Sequence, residues 1–342
     1  MPRAGEPDVT IVSLGSTAGL RHADESLAAS LRRAGAQVEI AAARHPSQVR
    51  TLMLTDLAWA RAARAAAGAG SKRTGAIVYS TVTAALFWPA RGAIRFDAPS
   101  AGNRPGRHGL WQRPVERLRL RQSPLLLPWS EGGLKEAPGD AAGRALVLPV
   151  PVDPSGPLDG VRDVAALTYA ANPQKKGLDS VLAAWRAVRG SLPDGAELHV
   201  AGASAQSLAQ AGFAALGREP GVRVVGALDA TDYRALLRRA RVFVCAPRRE
   251  DYGIAQLEAL ADGCQLVTNE APGPYAALPL ARRLDPRLVG EDLAAGLRAA
   301  LLEPRAGYAE DARAVIAPFR TEAVDRLVAD ELLPRLVALA VL

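Results

Sequence analysis

Two glutamates separated by seven residues occupy the part of the sequence best suited to chemistry. Glu250 precedes Gly253, and Glu258 follows it in an apolar run with helical spacing. Gly253 lets the backbone turn tightly into the helix. The free N–H groups of Gly253, Ile254 and Ala255 at the helix start favour a phosphate. A carboxylate one turn further on, at Glu258, can accept hydrogen bonds from two neighbouring hydroxyls, as on a ribose. The alternative interpretation is an amphipathic helix with two solvated glutamates.

The elements around these glutamates alternate between strand and helix. Apolar runs predict strands at residues 165–169, 197–201, 222–225, 242–245 and 265–268. Helices are predicted after the first of these strands, at 233–240 and at 254–261, where Gly263 supplies a left-handed stop. This alternation is typical of a parallel α/β sheet.

The first part of the chain shows the same alternation. Strands are predicted at residues 9–14, 38–40, 76–80, 125–127 and 145–148, with a glycine-containing loop at 15–19 after the first. Prolines and glycines crowd residues 149–160, a composition expected of a linker. We therefore expect two α/β domains, with ligands in the cleft between them.

Composition excludes several classes of protein. The 342 residues are 49% hydrophobic and 23% charged, which excludes wholesale disorder. Two cysteines and four scattered histidines supply neither a disulfide framework nor a four-ligand zinc site. No secretory signal pattern or apolar run of membrane-spanning length is present, so we expect a cytoplasmic protein.

The positive charge is concentrated in the first domain. Residues 1–150 hold 20 basic and 11 acidic residues, whereas the remainder is slightly acidic, although the net charge of the chain is +7. A basic domain suggests an anionic partner: a phosphorylated ligand, an acidic membrane surface or nucleic acid. A nucleic-acid partner is not expected, because no helix-turn-helix, zinc or aromatic RNA-binding motif accompanies the charge. The alternative is that arginine simply solvates an alanine-rich chain.

Residues 250–266, E-D-Y-G-I-A-Q-L-E-A-L-A-D-G-C-Q-L, resemble a motif of the retaining nucleotide-sugar glycosyltransferases of the family-4 type, E-G-F-G-L-x-x-x-E-A-M-A-x-G-x-P-V. The run from 225 to 247 is similar to the block before that motif. Residues 174–177, Gln-Lys-Lys-Gly, resemble the family's phosphate-binding loop, and residues 149–153 resemble the end of its first domain. Residues 18–35 resemble its glycine loop and first helix.

The resemblance implies the GT-B architecture, in which two Rossmann-like α/β domains face each other across a cleft. We place the acceptor-side domain at residues 1–155 and the donor domain at 156–320. A C-terminal helix at 321–342 is expected to pack back toward the first domain.

The resemblance also implies roles for particular residues. Lys176 would neutralise the donor diphosphate and Glu250 would bind the transferred sugar, so these two are the candidate catalytic residues. The donor-binding candidates are Gly19, Lys175, Leu228, Asp229, Gly253, Ile254, Ala255 and Glu258. Retention of anomeric configuration is implied, with no cofactor and no essential metal. A solvated lysine at position 176 and a plain turn at Gly19 are the alternatives.

Three positions depart from the family pattern. Ala171 stands where the family has a second diphosphate-binding arginine, and Lys175, Arg248 or Arg249 are candidate replacements. Ala18 replaces the first glycine of the first-domain loop, and Gln265 replaces a proline after Gly263. These departures leave a non-catalytic nucleotide-sugar-binding subunit of a glycan assembly complex as the alternative to an enzyme.

A basic segment at residues 95–121 mixes seven arginines with Trp111 and several aliphatic residues. Such a mixture suits an anionic membrane surface, an acceptor pocket, or a core-facing helix decorated with arginine. Arg104, Arg107 and His108 are the acceptor-side candidates, with a merely polar loop histidine as the alternative for His108.

The expected partners are a nucleotide-sugar donor and an acceptor that is a glycan, a lipid-linked molecule or a small molecule. An anionic membrane is a further candidate, and would make the cytoplasmic protein peripheral to the inner face of the membrane.

Overall fold

The computed structural model describes residues 7–46, 51–68, 75–104 and 106–340. The chain divides into two compact units, residues 1–151 with 319–342 and residues 152–318. No helix within the described ranges is long and apolar enough to cross a membrane.

Unit 1 contains a five-stranded parallel sheet. Its strands are β1 (Val9–Ser13), β2 (Val38–Ala42), β3 (Ala76–Tyr79), β4 (Ala93–Phe96) and β5 (Leu126–Pro128). The spatial order is β2-β1-β3-β4-β5. The order reverses between β1 and β3, which is the point where ligands enter such sheets.

The helices of unit 1 flank this sheet. They are α1 (Ala18–Arg33), α2 (Leu52–Gly68), α3 (Val82–Ala85), α4 (Ser100–Asn103), α5 (Gln112–Gln122) and α6 (Glu131–Glu136), with 3-10 turns at Gly106–Gly109 and Ala142–Arg144. The predicted glycine loop at 15–19 ends earlier than expected, because Thr17 caps α1 by accepting the Leu20 N–H at 3.2 Å.

One strand of unit 1 was missed and one strand prediction was wrong. Strand β4 was not predicted, because Arg95 interrupts its apolar pattern. The predicted strand at 145–148 is only an isolated bridge between Ala145 and Leu126. Leu146 and Leu148 do donate N–H bonds to β5 carbonyls, at 2.9 and 2.8 Å, but Pro128 has no N–H to return to a full ladder.

The end of the chain belongs to unit 1. Helix α14 (Thr321–Leu327), a π-helical turn (Val328–Leu332) and α15 (Leu333–Ala340) bury one side chain per turn among residues of β1, α1 and β3. The Arg33 and Asp325 side chains pair at 2.6 Å.

Unit 2 contains the second five-stranded parallel sheet. Its strands are β6 (Val164–Tyr169), β7 (Leu198–Ala201), β8 (Val222–Gly226), β9 (Ala240–Cys245) and β10 (Gln265–Thr268), in the spatial order β10-β9-β6-β7-β8. The order reverses between β6 and β9, which pair directly. The predicted doubly wound α/β fold class is confirmed for each unit.

The helices of unit 2 connect these strands. They are α7 (Leu178–Arg189), α8 (Ala205–Leu208), α9 (Ala230–Arg239), α10 (Ile254–Ala261), α11 (Ala277–Leu284), α12 (Leu293–Leu302) and α13 (Tyr308–Val315). Shorter turns occur at Ala209–Phe213, Leu216–Arg218, Pro286–Leu288 and, where unit 1 resumes, Ala317–Phe319. Helix α10 has the predicted bounds, and α9 begins three residues earlier than predicted.

Candidate functional site

The candidate site lies at the carboxyl ends of β6 and β9, where the strand order of unit 2 reverses. The loop after β6 carries Lys176 into α7, and the loop after β9 carries Glu250 into α10. Ligands of doubly wound sheets bind outside the carboxyl ends of the strands at this reversal. Two residues 74 positions apart in the chain are therefore delivered to one place by the pairing of β6 with β9.

Lys176 and Glu250 form the central contact of the site. The Lys176 Nζ lies 2.6 Å from the Glu250 Oε2, and the same oxygen accepts a bond from the Gln256 Nε2 at 3.0 Å. The Glu250 side chain is 7% exposed and that of Lys176 is 22% exposed. A buried carboxylate needs paired donors, and this one receives an ammonium and an amide while the lysine stays accessible.

The β6–α7 loop is shaped by two local features. The Asn172 Oδ1 accepts the Lys175 N–H at 3.0 Å, which closes a turn. Gly177 has φ +64°, and a Cβ there would overlap the carbonyl oxygen of Ala246 beyond the end of β9. Only glycine allows this approach, which sets the position of Lys176 against the β9 loop.

The β9–α10 loop is held in a similar way. The Glu250 N–H donates to the Pro272 carbonyl at 3.0 Å. Gly253 (φ +93°) precedes α10 and packs against the ring of Tyr275 without a side-chain cap. Ile254 and Ala255 form the first turn, so their N–H groups lie at the positive end of α10. The structure thus places the predicted phosphate-binding amides at the start of α10, directly after the loop that carries Glu250.

The neighbouring cations are all engaged with acids. The Lys175 Nζ lies 3.5 Å from the Asp251 Oδ2, and the Arg249 Nε donates to the Asp251 Oδ1 at 2.7 Å. Arg248 is exposed and pairs with Asp179 at 3.1 Å. These three candidate replacements for the missing arginine lie in the β6–α7 and β9–α10 loops, and each is already paired with an aspartate.

Glu258 lies on α10 in a separate charged cluster. Its Oε1 is 3.7 Å from the Arg234 Nη1, and Arg234 also donates to the buried Asp262 at 2.7 Å. Burial raises the pKa of Glu258 to about 7, against the opposing effect of Arg234. The pKa of Tyr169, at the end of β6, is raised by burial and by the charge of Glu258, and is lowered by Lys176. Tyr169 is thus within electrostatic reach of both Glu258 and Lys176.

Leu228 and Asp229 lie directly before α9. Asp229 is exposed and caps α9, accepting the Asp232 N–H at 2.9 Å, while Leu228 is half-buried. No hydrogen bond or ion pair joins either residue to Lys176 or Glu250 within the described part of the chain. Their assignment to the donor-binding site remains a prediction.

The predicted residues of unit 1 are dispersed. Gly19 lies in the first turn of α1 rather than in the preceding loop. Arg104 pairs with Asp56 at 2.8 Å, and Arg107 is exposed. His108 lies in a 3-10 turn, but its side chain is outside the described part of the structure. The acceptor-side predictions remain untested.

Sequence reasoning missed several polar residues near the ends of the strands. In unit 2, Gln256 contacts Glu250 and Arg234 contacts Glu258. A single glutamine or arginine is common on an amphipathic helix, so the sequence did not single out these residues.

In unit 1, Arg95 belongs to the buried part of β4 and not to an exposed basic segment. It is 1% exposed and lies 3.8 Å from Asp24. Burial raises the pKa of Asp24, whose Oδ2 accepts the Ser13 hydroxyl at 2.5 Å. The position of Arg95 between apolar residues was the feature of the sequence that could have indicated a buried arginine in a strand.

No group of three or more histidine, cysteine, aspartate or glutamate side chains within the described ranges is placed to hold a metal ion.

Comparisons with known proteins identify a family that matches unit 2 and solved structures that share the fold. Residues 164–303 match the family described as glycosyl transferases group 1, a segment that includes Lys176, Glu250 and Glu258. No curated protein sequence matches the chain.

Three solved structures share the fold across nearly the whole chain. Sucrose-phosphate synthase from Thermosynechococcus elongatus is 17% identical, with 97% of this chain and 99% of that chain covered and a TM-score of 0.74. WaaG, a glycosyltransferase involved in lipopolysaccharide biosynthesis, is 16% identical, with 94% and 98% covered and a TM-score of 0.70. HepE from Anabaena, in complex with UDP and glucose, is 15% identical, with 96% and 99% covered and a TM-score of 0.69.

The chain therefore has the GT-B fold, and residues 164–303 of its second unit match the glycosyl transferases group 1 family. The resemblance to nucleotide-sugar glycosyltransferases of the family-4 type is confirmed.

Proposed function

We propose that this chain transfers a sugar from a nucleotide diphosphate sugar to an acceptor hydroxyl with retention of anomeric configuration. The observation that carries the proposal is the 2.6 Å contact between Lys176 and Glu250 beside the start of α10. This arrangement puts a cation, a helix start and a buried hydrogen-bonding acid at the strand-order reversal of a group 1 domain.

The residues would act on the bond between the sugar and the diphosphate. As that bond breaks, negative charge grows on the leaving diphosphate, and Lys176 with the first amides of α10 stabilises it. Glu250 holds the sugar while its anomeric carbon gains oxocarbenium-like character. The leaving phosphate oxygen takes the proton of the acceptor hydroxyl, which then forms the new bond on the same face. Glu258 accepts hydrogen bonds from the ribose.

Metal independence is part of the proposal, since a lysine and helix amides can supply the positive charge that a cation provides elsewhere. Activity is expected to persist in EDTA. A uridine nucleotide is the first donor to test, because the HepE structures contain UDP and UDP-glucose.

The test is incubation of the whole chain with a panel of nucleotide sugars and acceptor glycans, lipid-linked molecules and small hydroxylated compounds. The proposal predicts release of nucleoside diphosphate that depends on Lys176 and Glu250, with the product anomer matching the donor anomer. Turnover with an inverted product would refute retention. Absence of binding and turnover for every donor would refute the function.

A non-catalytic subunit that binds nucleotide sugars is the second candidate. It is suggested by Ala171, which stands where the family has a diphosphate-binding arginine. It predicts saturable nucleotide binding that Glu258→Ala abolishes, without turnover under any condition. The two candidates share the binding site and differ only in whether product forms.

We also propose that the acceptor-side unit meets an anionic membrane at the cytoplasmic face. One face of α5 and the turn before it exposes Leu110 and Leu118, 62% and 49% exposed, beside the exposed Arg117 and Arg121. Basic side chains next to exposed leucines suit an anionic interface. Co-sedimentation with vesicles containing phosphatidylglycerol should fall for Leu118→Asp and not for the exposed Arg298→Gln in unit 2. Equal binding by both variants would overturn this assignment.

A further inference from the structure

A second concave site lies in unit 2 at the amino-terminal ends of β9 and β10. Its volume is about 250 Å³, and its lining includes Arg162, Arg241, Gln265, Arg305, Tyr308 and Glu310. Arg241 is the second residue of β9 and Gln265 the first of β10. The predicted donor-binding residues follow the opposite ends of these strands, so this cavity belongs to a different part of the unit.

The cavity is rich in positive charge. Three arginines line it against the carboxylate of Glu310, and the neighbouring Asp311 pairs with Arg305 at 2.5 Å. Arg162 donates to the Ala240 and Asp262 carbonyls, both at 2.6 Å, and Arg241 donates to the Leu301 carbonyl at 2.8 Å. A guanidinium carries five N–H donors. These bonds therefore fix the two side chains and leave further donors for an anion.

A helix start adds to this potential. Helix α13 begins at Tyr308 on the cavity wall, and its cap residue Gly307 (φ +70°) makes no side-chain cap bond. The first N–H groups of a helix lack intrahelical partners and favour negative charge. The arginines and the helix start thus favour the same kind of ligand.

Gln265 supplies an independent signal. The residue is 8% exposed, and its Nε2 donates to the Ala300 carbonyl at 2.8 Å, which fixes the orientation of the amide. Its Oε1 is buried without a hydrogen-bond partner. A buried acceptor left unpaired is costly, and an O–H group on a bound anion would satisfy it. The family-4 pattern has proline at this position, which could not supply that acceptor.

We propose that this cavity is a second ligand site, which binds a soluble phosphate or phosphomonoester through Arg162, Arg241 and Arg305 and accepts its hydroxyl on the Gln265 Oε1. The site is separate from the donor site and does not depend on the proposed transferase activity.

The test is calorimetric titration of the whole chain with inorganic phosphate and with sulfate, repeated on Lys176→Gln. That substitution removes the proposed diphosphate-binding cation of the donor site, so phosphate binding that it leaves unchanged reports on another site. Phosphate carries O–H groups near neutral pH and sulfate does not, so phosphate should bind more tightly. Arg241→Gln and Arg305→Gln should each weaken phosphate binding by about tenfold, and Gln265→Leu should abolish the preference for phosphate over sulfate.

Arg298→Gln on α12 is the matched control, because Arg298 is an exposed arginine outside the cavity lining, and its phosphate affinity should equal that of the parent. Arg305 is itself exposed, so its variant should retain the melting temperature of the parent and report on binding alone. Absence of phosphate binding, loss of that binding in Lys176→Gln, or equal affinity in all the arginine variants would overturn the proposal.

Discussion

The Lys176 ammonium lies 2.6 Å from the Glu250 carboxylate, although the resemblance assigns one to the donor diphosphate and the other to the sugar. In the structure the two charges neutralise each other, and the Gln256 amide shares the same carboxylate oxygen. A donor diphosphate bound as proposed would therefore compete with Glu250 for Lys176. This competition gives opposite expectations for substitutions of the two partners.

Lys176→Gln should weaken the affinity for UDP by about 30-fold, or ~2 kcal/mol, because it removes a charge-assisted contact to the diphosphate. Titration calorimetry measures this change. Arg186→Gln removes an exposed cation from the last turn of α7, where Arg186 pairs with Glu219, and should leave the affinity unchanged. Equal losses in both variants would indicate a general effect of charge and remove Lys176 from the site.

Glu250→Gln should have the opposite effect on UDP binding. The neutral amide no longer holds Lys176 as an ion pair, so UDP, which carries no sugar, should bind as tightly as before or more tightly. Turnover of the nucleotide sugar should fall by about 100-fold, since the contact to the sugar is lost. Comparison of UDP affinity with kcat tests both statements, and weaker UDP binding would contradict the competition between Glu250 and the diphosphate.

Gly177→Ala should destabilise unit 2 by about 2 kcal/mol or more, since the new Cβ would meet the Ala246 carbonyl and the left-handed φ strains alanine. Urea denaturation followed by circular dichroism measures the free energy of unfolding. Gly190→Ala is the matched control at the other end of α7: it has an ordinary φ of −65° and open space around its Cβ position. A Gly177→Ala variant as stable as Gly190→Ala would show that the loop adapts.

The fold was predictable where apolar runs end at glycine or proline. Helix α10 and strand β10 have their predicted bounds because Gly253 and Gly263 stop the helix on either side. Strand β4 was hidden by Arg95, whose burial depends on Asp24 from a distant helix. Residues 145–148 have the sequence pattern of a strand. They do not form one because Pro128, on the neighbouring strand β5, has no N–H to donate, and the segment itself gives no indication of this.

The candidate site was predictable as a set of residues and not as a set of contacts. The motif spacing indicated Glu250 and Glu258, and the phosphate-loop resemblance indicated Lys176. The Lys176–Glu250 pair depends on β6 lying beside β9, and the Arg234–Glu258 contact depends on α9 lying near α10. Spacing along the chain carries no information on such long-range neighbours.

The raised pKa of Glu258 predicts a pH dependence of donor binding. At pH 6 most of its carboxyl is protonated and at pH 8 most is ionised, since its pKa is about 7. An ionised carboxylate is a stronger acceptor for ribose hydroxyls, so UDP affinity should rise from pH 6 to pH 8. The rise should be smaller in Glu258→Gln, which retains only the ionisation of the phosphate itself. Parallel profiles for the two proteins would exclude Glu258 from ribose binding.

The same pKa shift predicts the pH dependence of stability. Because the folded-state pKa lies above the ordinary value of 4.5, the folded chain holds more protons between these values, and stability falls as pH rises from about 4.5 to 7. Glu258→Gln should remove this slope. Its melting temperature, relative to that of the parent, should therefore be higher at pH 8 than at pH 5. A pH-independent difference would contradict the shifted carboxyl.

Ala171→Arg tests whether the missing second cation limits donor binding. Ala171 is exposed at the start of the β6–α7 loop, five residues before Lys176, so an arginine fits there without displacing a packed side chain. It should raise UDP affinity by about three- to tenfold at low salt, because a guanidinium binds a diphosphate bidentately. The gain should shrink at 1 M salt, where exposed charges are screened within about 3 Å.

Ala171→Gln is the uncharged control of similar length and should show no gain. An unchanged affinity in Ala171→Arg would mean that Lys175, Arg248 or Arg249 already supplies that charge, whereas a gain would show that the natural sequence leaves the position empty.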